Sequence, residues 1–170
     1  SLRLEDLSLE LKPAQPPAQL AWQDSPGAWH DAGTSGWSIY QDSSGGERWD
    51  SPNHLDAQGR STVSFRGFRV RGEGGATLAE GMRASPALRL AGPAGSVCAG
   101  VEQFWQNFPK ALRWSGGTLG LGLFPAECAA GFEIQGGEKK RHAAWLDFAA
   151  ASAGAVALYV PLAVSLDARE

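Results

Sequence analysis

The sequence predicts an all-β fold, an antiparallel two-sheet β-sandwich with at most one short helix. Three observations predict it. Apolar residues alternate at period two in run after run, 22 glycines and 10 prolines punctuate those runs, and seven tryptophans stand against a single methionine. A strand points successive side chains to opposite faces, so one buried face reads as period two. Glycine and proline supply the φ values at which strands reverse, and bulky aromatics suit a pleated surface. A chain of this length buries roughly 70% of its unfolded surface as one domain. The whole of 1–170 therefore reads as a single sandwich domain, expected to be excised from a larger multidomain protein.

The elements follow in order. Leu2 and Leu4, then Leu7, Leu9 and Leu11, alternate with a slip at Glu5-Asp6, which predicts one long strand carrying a bulge, ended by Pro13, Pro16 and Pro17. A strand is expected over Gln19 to Gln23 before the turn Ser25-Pro26-Gly27, and another over Trp37 to Gln41. From Asp42 to Arg60 the chain is too polar to bury and too long for an ordinary hairpin, the mark of a functional or disordered loop. Thr62 to Arg71 resumes a strand whose phase changes at Gly67, where a bulge or corner is expected. Further strands are predicted at Ala76 to Met82, Ala87 to Ala91 and Ser96 to Phe108, the last stopped by Pro109.

Thr118 to Phe124 sets Leu119, Leu121 and Leu123 against Gly120 and Gly122, so one face packs a core while the other admits close approach. Phe132 to Gln135 and Lys139 to Phe148 read as a hairpin through Gly136-Gly137. Ala149 to Tyr159 is the one short helix or loop, with Pro161 as its stop.

Charge and motif content narrow the function. Fifteen Lys and Arg are scattered among 18 Asp and Glu, net −3, without a basic stripe, so nucleic acid is not an expected partner. The longest apolar stretch, Ala149 to Val164, is broken by Ser152, Gly154 and Pro161, so no membrane span is expected. The opening Ser-Leu-Arg-Leu has no leader character, and any signal peptide is expected to lie outside this sequence, leaving a secreted, periplasmic or cytoplasmic location open. Cys98 and Cys128 lack CxxC or Cys/His spacing and read as two buried free thiols. There is no GxSxG, P-loop, HExxH or Rossmann pattern and only three histidines, so no cofactor and no metal are expected.

Two polar segments concentrate ionisable and amide groups beside glycines. YQDSSGGERWDSPNH carries Asp42, Glu47, Arg48, Trp49, Asp50, Asn53 and His54, and FEIQGGEKKRH carries Glu133, Gln135, Glu138, Lys139, Lys140 and His142. Their plain alternatives are an ordered surface loop pinned by Trp49 and a solvated hairpin end. Their functional reading is sugar binding: hydroxyls need planar donors and acceptors, and the apolar ring face stacks on tryptophan, with Trp49, Trp105, Trp114 and Trp145 as candidates unless they are core.

The strings YQDSSGGERWDSPNH, SFRGFRV, VEQFWQNFPKAL, GLGLFP and IQGGEKK, in that order between Tyr40 and Lys140, resemble the central domain of the exo-rhamnogalacturonan lyase-like family of multidomain polysaccharide lyases. The resemblance implies a central β-sandwich between a barrel-like β domain and an α/α toroid, in a parent acting on pectic rhamnogalacturonan by β-elimination. The chain departs from the family pattern after the second Gly-Gly, where Lys139, Lys140 and Arg141 stand in place of a lysine with glutamine and threonine, and no catalytic residue is carried over.

β-Elimination beside a uronate needs carboxylate neutralisation, a base and an acid. Lys139, Arg48 and His54 could serve such roles only with help from a neighbouring domain, so the isolated chain is expected to be inactive. The expected substrate-binding residues are Asp42, Glu47, Arg48, Trp49, His54, Gln135, Glu138 and Lys139, with the segments Asp42 to His54 and Gln135 to Lys139 on one end or face. The expected partners are a polysaccharide or oligosaccharide with uronic acid and the flanking domains of the same chain. The alternatives are a stand-alone carbohydrate-binding module and a structural or interaction sandwich without ligand.

Overall fold

A computed structural model describes residues 2–148 apart from 34, 57, 94 and 135, together with the backbone of 149 and 158–167. The described residues form fourteen strands. In chain order they are β1 (Leu2–Leu4), β2 (Leu7–Leu11), β3 (Gln19–Gln23), β4 (His30–Gly33), β5 (Trp37–Gln41), β6 (Phe68–Gly72) and β7 (Thr77–Gly81), followed by β8 (Ala87–Gly92), β9 (Gly95–Val101), β10 (Lys110–Ser115), β11 (Thr118–Phe124), β12 (Phe132–Ile134), β13 (Lys139–Ala149) and β14 (Leu158–Asp167). Helical structure among them is limited to two three-residue 3-10 turns, Pro52–His54 and Glu73–Gly75.

Every strand pairing is antiparallel. One six-stranded sheet runs β2-β11-β10-β5-β6-β7, a second runs β14-β13-β9-β8-β3-β4, and β1 with β12 makes a two-stranded ribbon. The predicted all-β sandwich is the observed fold class.

Register explains the core. Leu112 lies opposite Ile39 and Leu121, Ile39 opposite Val70, and Trp114 opposite Trp37, so one row of in-phase residues across four strands points inward. The second sheet answers with Leu20, Trp22, Leu88, Leu90 and Ala99. The sheets meet where Trp22 and Trp37 approach at 5.4 Å between ring centroids. Leu20, Ile39, Leu88 and Leu112 are wholly buried, each burial being worth about 1.5–3 kcal/mol.

Several boundaries differ from the sequence reading, each for a physical reason. The N-terminal leucines form two strands rather than one bulged strand: β1 pairs with β12 and β2 with β11, and the slip at Glu5-Asp6 is where the chain changes partner. The run Ser96 to Phe108 is strand only as far as Val101. Gln103 takes φ 50°, the Asn107 N–H donates to the Gln103 carbonyl, and the aromatic Phe104 is buried from a turn. Pro109 leads directly into β10, a strand the proline had concealed. β4 escaped because His30-Asp31-Ala32-Gly33 is a mostly exposed edge strand without apolar alternation.

Only Phe68 onward of the run Thr62 to Arg71 is strand, the phase change at Gly67 marking a corner. The expected hairpin through Gly136-Gly137 is not a paired one, since β12 pairs with β1 while β13 pairs with β9 and β14. In the predicted short helix, 150–157 lie outside the described residues, and Leu158 begins β14. Pro161 sits opposite Trp145 on an edge strand, where a missing N–H costs no ladder bond if it faces outward. The open face of Gly120 and Gly122 is filled: the Arg113 side chain covers Gly120, and Pro125 with Ala111 covers Gly122.

Candidate functional site

The polar loop after β5 is built outward from three buried residues. Gln41 continues the inward phase of Trp37 and Ile39 and is completely buried. Its Nε2 donates to the Ser43 carbonyl at 2.6 Å and the Met82 carbonyl at 2.8 Å, and its Oε1 accepts from the Ala84 N–H at 2.9 Å. Asp42, 3% exposed, accepts from the Ser64 and Phe65 N–H groups through Oδ2, at 2.5 and 2.9 Å, and from the Tyr40 hydroxyl through Oδ1 at 2.9 Å. Burial first, and the Asp42 carboxylate second, hold the Tyr40 phenol well above its ordinary pKa, so it remains a donor. Ser43 Oγ accepts from the Gly67 N–H at 2.8 Å.

Glycine is required at two places around this brace. Gly45 and Gly67 take φ 68° and 83°, and a Cβ on either would run into the main-chain carbonyl of Met82 or Gly81. Arg66 Nε donates to the Gly45 carbonyl at 3.0 Å and Arg83 Nε to the Ser44 carbonyl at 3.2 Å, while the Arg83 guanidinium lies 4.3 Å from the Trp105 ring centroid. Further along, the His54 carbonyl accepts from the Thr62 N–H and hydroxyl at 2.7 and 2.9 Å. The loop is therefore long but internally bonded, and its shape is set before any ligand arrives.

On this frame Glu47 and Arg48 are exposed and make no hydrogen bond or ion pair through their side chains with the described residues, while Trp49 and His54 are half-buried. The His54 ring stands edge-on to Phe108, centroids 5.3 Å apart. Asp42 differs from its sequence assignment to the binding surface: its oxygens are taken up inside the loop, which it braces.

Of the second segment, Gln135 lies outside the described residues. Glu138 pairs with Lys140 at 2.5 Å, and Lys139 is exposed at the start of β13. Phe108, which touches His54, is two residues from Lys110, and Lys110 lies close enough to Lys140 to feel its charge. The Phe108–Lys110 stretch is thus a common neighbour of the His54 end of the loop and the start of β13.

Beneath it sit two groups the sequence reading did not single out as a pair. Lys110 is 1% exposed, its ammonium donating to the carbonyls of Asn107, Pro109 and Leu123 at 2.5, 3.0 and 2.9 Å. Burial, then the Lys140 charge, pushes its pKa down to about 7, while three carbonyl acceptors favour the ammonium, which has three protons to give. His142, 7% exposed, stands edge-on to Phe124 at 4.7 Å, and neither ring nitrogen has a hydrogen-bond partner among the described residues. Burial, Lys110 and Lys140 bring it down to about 4.

Strand parity was the available signal for both: Lys110 is in phase with Leu112 and Trp114, and His142 with Ala144 and Leu146. Both lie inside the sandwich, away from a surface-bound chain. Trp114 is core at 5% exposure, and Trp105 lies under Arg83. Cys98 and Cys128 are free thiols.

Against protein-family models, curated proteins and solved structures, the chain has no match.

Proposed function

We propose that this chain is a glycan-binding β-sandwich domain of a pectin-degrading, rhamnogalacturonan lyase-like protein, contributing part of a cleft without completing its chemistry. The observation that carries the reading is the braced loop: Gln41, Asp42 and Ser43 hold it from inside while Glu47 and Arg48, whose side chains pair with none of the described residues, stand exposed beside the half-buried Trp49. A uronate carboxylate suits the Arg48 guanidinium, sugar hydroxyls suit Glu47, and an indole offers a face for the apolar side of a pyranose. A loop already ordered loses little conformational freedom when it binds.

The division of labour with other domains follows from chemistry. Elimination needs a base at the C5 proton, and the two groups with strongly lowered pKa values, Lys110 and His142, are buried in the core. The domain binds, and flanking domains supply the base and acid. Isothermal titration with oligogalacturonate and rhamnogalacturonan fragments tests this. Arg48→Ala and Trp49→Ala are each expected to weaken binding about tenfold, near 1.4 kcal/mol, and unchanged affinity in both variants would sink the loop as the contact. The isolated chain is expected to release no unsaturated uronide, read by ultraviolet absorbance.

A further inference from the structure

Two exposed arginines are held at one turn of the polar loop. Arg66 lies between Phe65, whose N–H donates to Asp42 Oδ2 at 2.9 Å, and Gly67, whose N–H donates to Ser43 Oγ at 2.8 Å. Arg83 lies between Met82, whose carbonyl accepts from Gln41 Nε2 at 2.8 Å, and Ala84, whose N–H donates to Gln41 Oε1 at 2.9 Å. The buried Gln41, Asp42 and Ser43 thus fix the main chain on both sides of each arginine. The side chains are tied as well: Arg66 Nε donates to the Gly45 carbonyl at 3.0 Å, Arg83 Nε donates to the Ser44 carbonyl at 3.2 Å, and the Arg83 guanidinium rests 4.3 Å from the Trp105 ring centroid. Ser44 and Gly45 are consecutive residues, with Cα atoms about 3.8 Å apart, so both guanidinium groups gather at the same turn.

Each guanidinium spends its Nε–H on the turn, and its two terminal nitrogens make no hydrogen bond with the described residues. Neither arginine forms an ion pair among those residues. The acids elsewhere are taken: Glu80 by Arg69, Asp6 and Glu127 by Arg113, and Asp56 by Arg60. Asp42, the acid of the brace, is 3% exposed and holds the N–H groups of Ser64 and Phe65 and the Tyr40 hydroxyl. Two fixed cations at one turn repel each other, and a bound anion offsets that repulsion. The planar fork of a guanidinium matches the paired oxygens of an oxyanion, which a lysine ammonium does not.

We infer that Arg66 and Arg83, set on the Ser44-Gly45 turn, form an oxyanion site that takes the carboxylate of a uronic acid unit and makes the domain select acidic over neutral chains. The site uses neither Arg48 nor Trp49. It rests on the proposed function for the glycan that carries the carboxylate, whereas the oxyanion chemistry stands on the two guanidinium groups alone. Arginine is rich in rotamers, and the Nε anchors with the Trp105 stack restrict both side chains before a ligand arrives, so less freedom is lost on binding.

Oligogalacturonate and its carboxyl-reduced, neutral counterpart are titrated into the whole chain by calorimetry, and inorganic sulfate is titrated separately while the arginine Nε–H resonances are followed by NMR. The acidic oligomer is expected to bind at least about tenfold more tightly than the reduced one, and the double variant Arg66→Gln with Arg83→Gln to cut that preference at least about fivefold. Sulfate is expected to shift the Arg66 and Arg83 signals saturably. Gly46→Asp keeps both arginines and introduces a carboxylate from a Cβ that would stand 3.8 Å from Arg83 Nη2. It is expected to lose the same preference together with the sulfate response, which keeps the test open should the double variant not fold. A preference unchanged in both variants, or sulfate shifts absent at both arginines, overturns the inference; weaker binding in Arg48→Ala and Trp49→Ala would in that case leave the loop reading standing. Failure of both oligomers to bind, with a sulfate response that Gly46→Asp removes, sinks the glycan reading and upholds the oxyanion site.

Discussion

Two clusters of buried polar side chains lie at the same end of β5 and β10, where Gln41 and Lys110 are register partners, and they are built on opposite terms. In the first, the amide of Gln41, the carboxylate of Asp42 and the hydroxyl of Ser43 all have partners, mostly main-chain groups of Ser64, Phe65, Gly67, Met82 and Ala84. In the second, Lys110 is satisfied by three carbonyls, yet His142 has no hydrogen-bond partner among the described residues and lies beside Phe124 and near two cations. The first cluster specifies a loop, since only one loop conformation delivers those N–H groups. The second imposes a cost that the surrounding apolar core offsets. Burial alone therefore does not tell whether a polar residue stabilises; the partner count does.

Substitutions can break that contrast. The largest effect is expected at Gly67, whose N–H reaches Ser43 and whose Cβ position is occupied by the Gly81 carbonyl. Gly67→Ala should cost more than about 4 kcal/mol in urea denaturation, and a loss under about 1 kcal/mol would show that the corner relaxes freely. Asp42→Ala strands two N–H groups and the Tyr40 hydroxyl and should cost roughly 3 kcal/mol. A nearly silent Asp42→Ala would mean that water replaces the carboxylate, and the brace would lose its meaning.

The second cluster makes the opposite forecast with pH. Folded His142 is held at about 4, below its ordinary 6.5, so between those values the unfolded chain binds the proton and the folded chain does not. Stability should then rise with pH across that window, by on the order of 3 kcal/mol, with this contribution fully lost below about pH 4. His142→Leu should remove this part of the slope in denaturation curves at pH 4.5 and 7. The smallest effect is the same variant at pH 7, within about 1 kcal/mol of the parent or more stable, since no hydrogen bond is lost. A marked loss there would reveal a partner for the imidazole.

Sequence pattern carried the fold further than the site. Apolar spacing located β3, β5, β8 and β11, although only β5 alternates in burial; in β3 and β11 the intervening Ala21, Gly120 and Gly122 are small and are buried as well. It was silent on β4, which has little to bury, and misread Phe104 as strand because a turn can insert a phenyl ring into a core as well as a ladder can. Glu47, Arg48 and Trp49 were legible as a polar cluster with an indole. Asp42 looked equally available, and nothing local distinguishes a carboxylate that meets solvent from one that meets the N–H groups of Ser64 and Phe65; that difference is made by a chain segment some twenty residues away. Lys110 and His142 could have been found by extending strand parity to charged residues.

The register that sets Leu9 opposite Leu121 has a kinetic meaning. β6 with β7, β8 with β9 and β10 with β11 are neighbours in sequence, so they close short loops, whereas β2 finds its place only after β3 to β11 have been made. During synthesis Leu7, Leu9 and Leu11 must wait, without their partner strand, for Thr118–Phe124. Loop closure over that span is slow and is rewarded late. Leu9→Ala should accordingly quicken unfolding while leaving the refolding rate nearly untouched, and a slowed refolding limb in stopped-flow would place the first strands in the nucleus instead.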